Sequence, residues 1–308
     1  AEADSLDAAV EELNRVLQAR PGHPMASQMM ARAHSERGDL PSALPWALRS
    51  ARQAPRDPAR TGDLIWILLR LEFFDAAEAW ARYGLEHNPD NRMLTDQLVW
   101  THYERGELGK GRRILQRYLE KHPDKPLALY AAGTVELSLG HPTQALELFE
   151  RGESRFNEAF PNESPSFPEP PAPPDWARLA VGAAHLQAGD RGHGRAVLAE
   201  LAREYRTLIS RTQAPDPDAL AGLAGVKSLI GQSAAVRDDL RLAVESGLSD
   251  RWLFKQPYLF PDMRDKPWFE RMNRQAEVNL AVQQKKVREM VLDLYPSGVR
   301  LDTAQPGE

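Results

Sequence analysis

Cysteine is absent from the 308 residues, which excludes disulfides, thiolate metal sites and a cysteine nucleophile together. Long apolar runs are missing as well, and none approaches the roughly 20 residues of a membrane-spanning helix. Positive charge is in deficit, with 39 Lys+Arg against 44 Asp+Glu and a net charge of −5. Nucleic acid is therefore not an expected partner, because neutralising phosphates needs a basic surface. The sequence holds no His-Glu-x-x-His run, no Gly-x-Ser-x-Gly elbow and no Gly-Lys-Ser/Thr phosphate loop; each of those places a metal, a nucleophile or a phosphate in a specific geometry. No catalytic residue, cofactor or metal is assigned on these grounds. The chain opens at Ala1-Glu2-Ala3 with neither Met nor a charged-then-apolar leader. With the missing cysteine, this leans toward an exported bacterial protein, and the compartment stays open.

What the sequence does have is a period. Pro21, Pro55, Pro89 and Pro123 are each 34 residues apart, and the register runs on to Asn157. Ala9, Ala43, Ala77, Gly111 and Ala145 keep the same spacing. So do Gly38, Gly106 and Gly140, with Glu72 standing where the series lacks a glycine. Three coincident series mark an internal repeat. Within one period, Pro24 to Gly38 reads as a helix stopped at a glycine C-cap. Asp39 to Ser42 makes a turn, and a second helix from Ser42 ends before Pro55, since proline cannot continue a helix. Leu64, Leu68, Leu98, Ala132 and Leu139 mark buried faces at helical spacing.

These residues resemble the tetratricopeptide repeat (TPR) family, with small residues in both helices and a closing proline. With Pro55 as the closing proline, Ala31, Leu64, Val99 and Gly133 fall near the small position of the first helix. Val99 is larger than the family prefers there, and Ile65 rather than Leu64 is the strict equivalent in the second repeat, which implies altered helix crossing. The resemblance implies an all-α fold of helical hairpins stacked into a superhelix, with about six pairs. The opening segment would supply only the second helix of a repeat.

Four regions are expected: regular repeats over 1–157, a proline-rich insertion over 158–174, degenerate hairpins over 175–248, and a C-terminal cap with a long helix over 249–308. Seven prolines from Pro161 to Pro174 exclude a persistent helix in the insertion. Beyond it, Trp176–Gly189 with Gly194–Arg206, and Ala219–Gly231 with Ala234–Ser246, read as two further pairs. Trp252, Phe254, Tyr258, Phe260, Trp268 and Phe269 then gather aromatics near Pro257, Pro261 and Pro267. An atypical segment of this kind suits the open end of a repeat array. Phe269–Leu294 reads as a long amphipathic helix that packs back on the repeats or pairs with another chain.

Functional candidates follow from the repeat phase. In TPR arrays the first helix of each pair lines a concave groove. One groove position is held here by Arg32, Trp66, Trp100 and Thr134, and a second by Gln28, Gly62, Asp96 and Tyr130. A third is held by Ser35, Leu69, Tyr103 and Leu137. From these, Gln28, Arg32, Trp66, Asp96, Trp100, Tyr103, Tyr130 and Thr134 form the candidate partner-binding set. Trp, Tyr and Arg dominate interface hot spots, and the competing reading is that the same aromatics pack the core. Trp66 leans toward burial, because Leu64 to Leu69 is apolar all round. Gly62 would leave room for a ligand chain. His185 and His193 straddle a glycine turn, so a shared site is possible on spacing alone, with solvent or packing roles as the expectation. The expected function is a scaffold or adaptor that holds a peptide, extended segment or partner helix, its charge met by Arg32 or Asp96. The alternative is a sensory or ligand-binding module of a larger bacterial regulator.

Overall fold

The helices are set by their ends. Gly38, Gly106 and Gly140 adopt φ of 73°, 77° and 85°, and Glu72 takes the same left-handed conformation at φ 54°. The residue after each of these turns donates its N–H to a carbonyl five residues back. The bonds run Asp39 to His34, Phe73 to Leu68, Glu107 to His102 and His141 to Glu136, at 2.8–2.9 Å. This six-to-one bond is the Schellman motif, which satisfies a terminal carbonyl while reversing the chain. At the other end, Asp57, Asn91 and Asp216 accept backbone N–H groups that begin a helix. His23 does the same through Nδ1. His23, Asp57 and Asn91 are 34 residues apart, so the cap is itself part of the repeat.

The structure is a computed structural model and describes residues 2–159, 173–211, 215–291 and 293–296. Most of the proline-rich insertion, including Pro161, Pro165, Pro168, Pro170 and Pro171, lies outside the described residues. Among those described, α1 (Glu2–Ala19) precedes six hairpins. These are α2 (Pro24–Glu36) with α3 (Leu40–Gln53), α4 (Pro58–Arg70) with α5 (Phe74–His87), and α6 (Arg92–Glu104) with α7 (Leu108–Lys121). They continue as α8 (Pro126–Ser138) with α9 (Pro142–Ala159), α10 (Asp175–Gln187) with α11 (Arg191–Arg211), and α12 (Pro217–Leu229) with α13 (Ser233–Glu245). A short α14 (Trp252–Lys255) and the long α15 (Pro267–Met290) follow. No strand occurs among the described residues.

Two compact units share these elements, 1–101 with 283–308, and 102–282. The boundaries fall inside α6 and α15, not at the proline-rich stretch.

In the first unit, α1 packs on α2, and α2 to α5 pack in chain order. Ala43 and Ala77 are fully buried, which lets the helices of each hairpin approach. Gly84 serves the next contact, because a Cβ there would lie 2.7 Å from Leu94. The chain end returns to this unit. The Trp80 indole N–H donates to the Leu294 carbonyl at 2.7 Å, Gln284 donates to the Leu71 carbonyl at 2.8 Å, and Arg52 meets Asp293 at 3.1 Å. The long helix therefore packs back through its C-terminal part. It ends at Met290, short of the expected Leu294, and Asp293 and Leu294 beyond it make two of these three contacts.

In the second unit, α10 packs on both α8 and α9, so hairpin stacking continues past the insertion. Close approach again depends on glycine. A Cβ at Gly133 would overlap the Phe149 ring, one at Gly182 would sit 2.5 Å from Leu198, and one at Gly222 would overlap Tyr205. A side chain at any of the three would force its neighbour to shift within a filled core. The aromatic segment caps the unit. Phe254, Phe260 and Phe269 cluster with ring centroids 5.1–6.4 Å apart in the core that also holds Leu220, Ala221 and Ala224 of α12. The Phe260 N–H donates to Ser228 at 3.0 Å, and Asn279 of α15 donates to the Val244 and Leu248 carbonyls.

Candidate functional site

Five of the eight sequence candidates, Gln28, Arg32, Trp66, Asp96 and Trp100, lie in the first unit. Arg32 on α2 and Asp63 on α4 form a two-bond ion pair, Nε to Oδ2 at 2.9 Å and a terminal nitrogen to Oδ1 at 3.2 Å. Gln28, buried, donates to the same Oδ2 at 2.8 Å. These bonds raise the Arg32 pKa further above its already high value, with the hydrogen bond to Asp63 as the largest cause. The Arg32 charge is thus met inside the chain, while about half of its side chain stays exposed. Asp63 lay outside the candidate set because it falls one residue after the periodic position held by Gly62.

Trp66 corrects the expectation of burial. Leu64, Ile65, Ile67 and Leu68 are all buried to 1% or less, but Trp66 is 42% exposed. Four apolar neighbours fill the core-facing arc of α4, and the 100° step of the helix turns Trp66 out of it. The Arg70 guanidinium lies 5.1 Å above its ring, within cation–π range. On α2, Met25 and Met29 are each 51% exposed. They precede Arg32 by seven and three residues and so share its side of the helix; Trp66 stands in the same relation to Asp63. One period on, Met25 is replaced by Ala59 and Met29 by Asp63, so the repeat does not single the methionines out.

Asp96 is drawn inward. Arg92 pairs with its Oδ2, and Oδ1 is buried without a hydrogen bond. Burial pushes its pKa up to about 6, against the opposing pull of Arg92. Gly62 does not hold space for a ligand. Met93 fills it, lying 2.5 Å from where a Cβ would sit, and Gln97 donates to the Gly62 carbonyl at 2.7 Å. Trp100 is half-buried.

The candidates in the second unit are interior. Tyr103, Tyr130 and Thr134 are 5%, 2% and 0% exposed. The Tyr103 hydroxyl bonds to Ser138 and donates to Gln256, and burial pushes its pKa well up. Tyr130 meets Phe156 edge-on at 6.5 Å. Thr134 donates to the Tyr130 carbonyl of its own helix at 3.0 Å. For these three the packing alternative describes the observed positions. Tyr130 and Thr134 lie on α8, where every residue from Ala128 to Leu137 is buried, and Tyr103 lies near the end of α6.

The hairpin order, the left-handed turns at one period and the small residues at each crossing are those of a tetratricopeptide repeat array. The family profile described as "Tetratricopeptide repeat" matches residues 1–58 and 97–162. The chain carries tetratricopeptide repeats. The unmatched stretch between those segments contains Ile65 and Glu72, which depart from the small position and the turn glycine, yet it folds into the same hairpin. Among curated proteins, none matches significantly. Solved structures include PilW, a widely conserved type IV pilus biogenesis factor, at a TM-score of 0.51 and 15% identity over 67% of this chain and 88% of that one. The APC/C hetero-tetramer Cut9–Hcn1 gives a TM-score of 0.55 at 12% identity, over 90% of this chain and 46% of that one. At these identities the likeness is one of fold. TPR proteins typically bind other proteins, and no described helix is long and apolar enough to cross a membrane.

Proposed function

We propose that this TPR protein is a scaffold or adaptor that holds an extended segment of a partner protein on the surface carrying Met25, Met29, Arg32 and Trp66. The carrying observation is the exposure of Trp66 and of the two methionines on helices whose other large apolar residues, Leu69 apart, are buried. Exposed tryptophan and methionine supply contact area that gains from desolvation, and methionine adapts to varied partners. Arg32, locked in orientation by Asp63, adds a half-exposed guanidinium beside them for a carboxylate. Trp100 on α6 is proposed as a further contributor. The work done is positioning, since this set contains no arranged nucleophile and base.

A displayed library of random linear peptides, selected against the whole protein, tests this reading. Enriched peptides should carry an apolar or aromatic anchor and lose at least about tenfold in affinity on Trp66→Ala, as hot-spot truncations do. Because Trp66 is exposed, circular dichroism and the melting temperature should stay close to wild type. Equal binding by wild type and Trp66→Ala, or no enrichment at all, would overturn the proposal.

A further inference from the structure

The turn joining α10 and α11 brings together three groups of the kind that hold transition metals. His185, Asp190 and His193 place one ligand atom each within 4.8 Å of one another, the one such group of three among the described residues. The His185 Nδ1 is 3.4 Å from Asp190 Oδ2 and the His193 Nδ1 is 2.7 Å from the same oxygen. The two imidazole rings lie 5.5 Å apart, tilted by 35°.

Part of this arrangement follows from the repeat, and part does not. A histidine facing a carboxylate across the hairpin turn recurs as His34 with Asp39 at 3.7 Å, His102 with Glu107 at 2.7 Å, and in reverse as His141 with Glu136 at 2.9 Å. Those pairs occupy the two ends of the six-to-one turn bond, where an apolar contact is usual. His185 and Asp190 are the same pair in the fifth hairpin, with its own bond from the Asp190 N–H to the His185 carbonyl at 2.9 Å. His193 is the addition. At the equivalent position after Asp39 the chain has Ser42, and after Glu107 it has Lys110, which pairs with Glu107.

Two local features aim the groups. Asp190 uses Oδ1 to accept the His193 backbone N–H at 3.2 Å, which leaves Oδ2 turned to both rings, as an outer bond orients a metal ligand. Gly194 lets α11 begin close against α10, since a Cβ there would lie 2.8 Å from Leu186 and 2.9 Å from the Gly182 carbonyl. The His185 Nδ1 is buried and makes no hydrogen bond.

We propose that His185, Asp190 and His193 bind a divalent transition ion of the zinc class through two imidazole nitrogens and one carboxylate oxygen, clipping α10 to α11. Imidazole with carboxylate suits such ions, and the absence of cysteine leaves no thiolate competitor. Zinc–ligand bonds of about 2.0–2.2 Å put tetrahedral ligand atoms roughly 3.4 Å apart. The His185–Asp190 separation already meets that spacing, and His193, with its side chain 78% exposed, is able to swing to it. Remaining positions on the ion would take water.

The test is calorimetric titration of zinc chloride into the whole tag-free protein after chelator treatment and dialysis. One ion per chain is expected, with a melting temperature that rises on zinc addition. His193→Ala and His185→Gln should each weaken binding at least about tenfold and abolish that rise. Asp190→Asn keeps an acceptor for the His193 N–H and removes the charge, so it should weaken zinc without unwinding α11. Cobalt in place of zinc should give visible absorption bands that vanish in His193→Ala. No binding to the wild type up to millimolar zinc, or equal binding by His193→Ala, overturns the proposal.

Discussion

The Asp96 carboxylate is the group whose charge costs the fold most visibly. Burial lifts its pKa from 3.8 to about 6, and Arg92 offsets only part of that. Between those values the folded protein keeps a proton that the unfolded chain has released, so stability falls as pH rises through the window. Above pH 6 the folded state carries a buried charge with one oxygen unpaired. Asp96→Asn should therefore raise stability by about 1–3 kcal/mol at pH 7.5 and by much less at pH 4.5. Thermal melts at the two pH values read the difference directly, and an equal shift at both would refute the assignment. The position was legible from the repeat phase. Its burial was not, because neither the Arg92 pairing nor the close packing around Gly62 is written into the spacing.

At the scale of the element, the hairpin turns show what a left-handed residue costs. Gly106 has open space around its missing Cβ, so Gly106→Ala acts through backbone conformation alone. It should destabilise by about 1 kcal/mol in urea titration. Glu72 already bears that strain at φ 54°. Glu72→Gly should reverse the sign, with a gain somewhat under 1 kcal/mol because the glutamate's own contacts are lost. The turn positions were predictable from periodicity alone, including the exception at Glu72. Helix faces were less so. From Leu64 to Leu69 in α4 and through most of α8, where the run is apolar, composition cannot say which side meets solvent. Trp66 turned outward and Tyr130 inward for that reason.

For the whole molecule, the aromatic cap closes the second unit. Phe254 is 4% exposed, between Phe260 and Phe269 and next to Tyr258 and Leu259 in one core cluster. Phe254→Ala should cost about 3–5 kcal/mol by chemical denaturation. Repeat arrays couple mainly to nearest neighbours, so hydrogen exchange should quicken in α12 and α13 before α8 and α9. A uniform loss of protection would instead mark a single cooperative block.

The sequence by itself determined the all-α class, the 34-residue period, the order of the hairpins and the place of their turns. Each of these rests on local chemistry: a glycine that turns left, a proline that ends a helix, a small residue at a crossing. It also brought His185 and His193 to one turn, since hairpin geometry alone does that. Only the tertiary structure decided which of the periodic residues face outward. Exposure depends on what neighbouring hairpins and the returning chain end cover, and those contacts join residues far apart in sequence, such as Trp80 with Leu294 and Tyr103 with Gln256. Arg32 and Asp96 read equally well as open charges until Asp63 and Arg92 were found beside them. Charge pairing is a property of spatial neighbours, which a period along the chain does not specify.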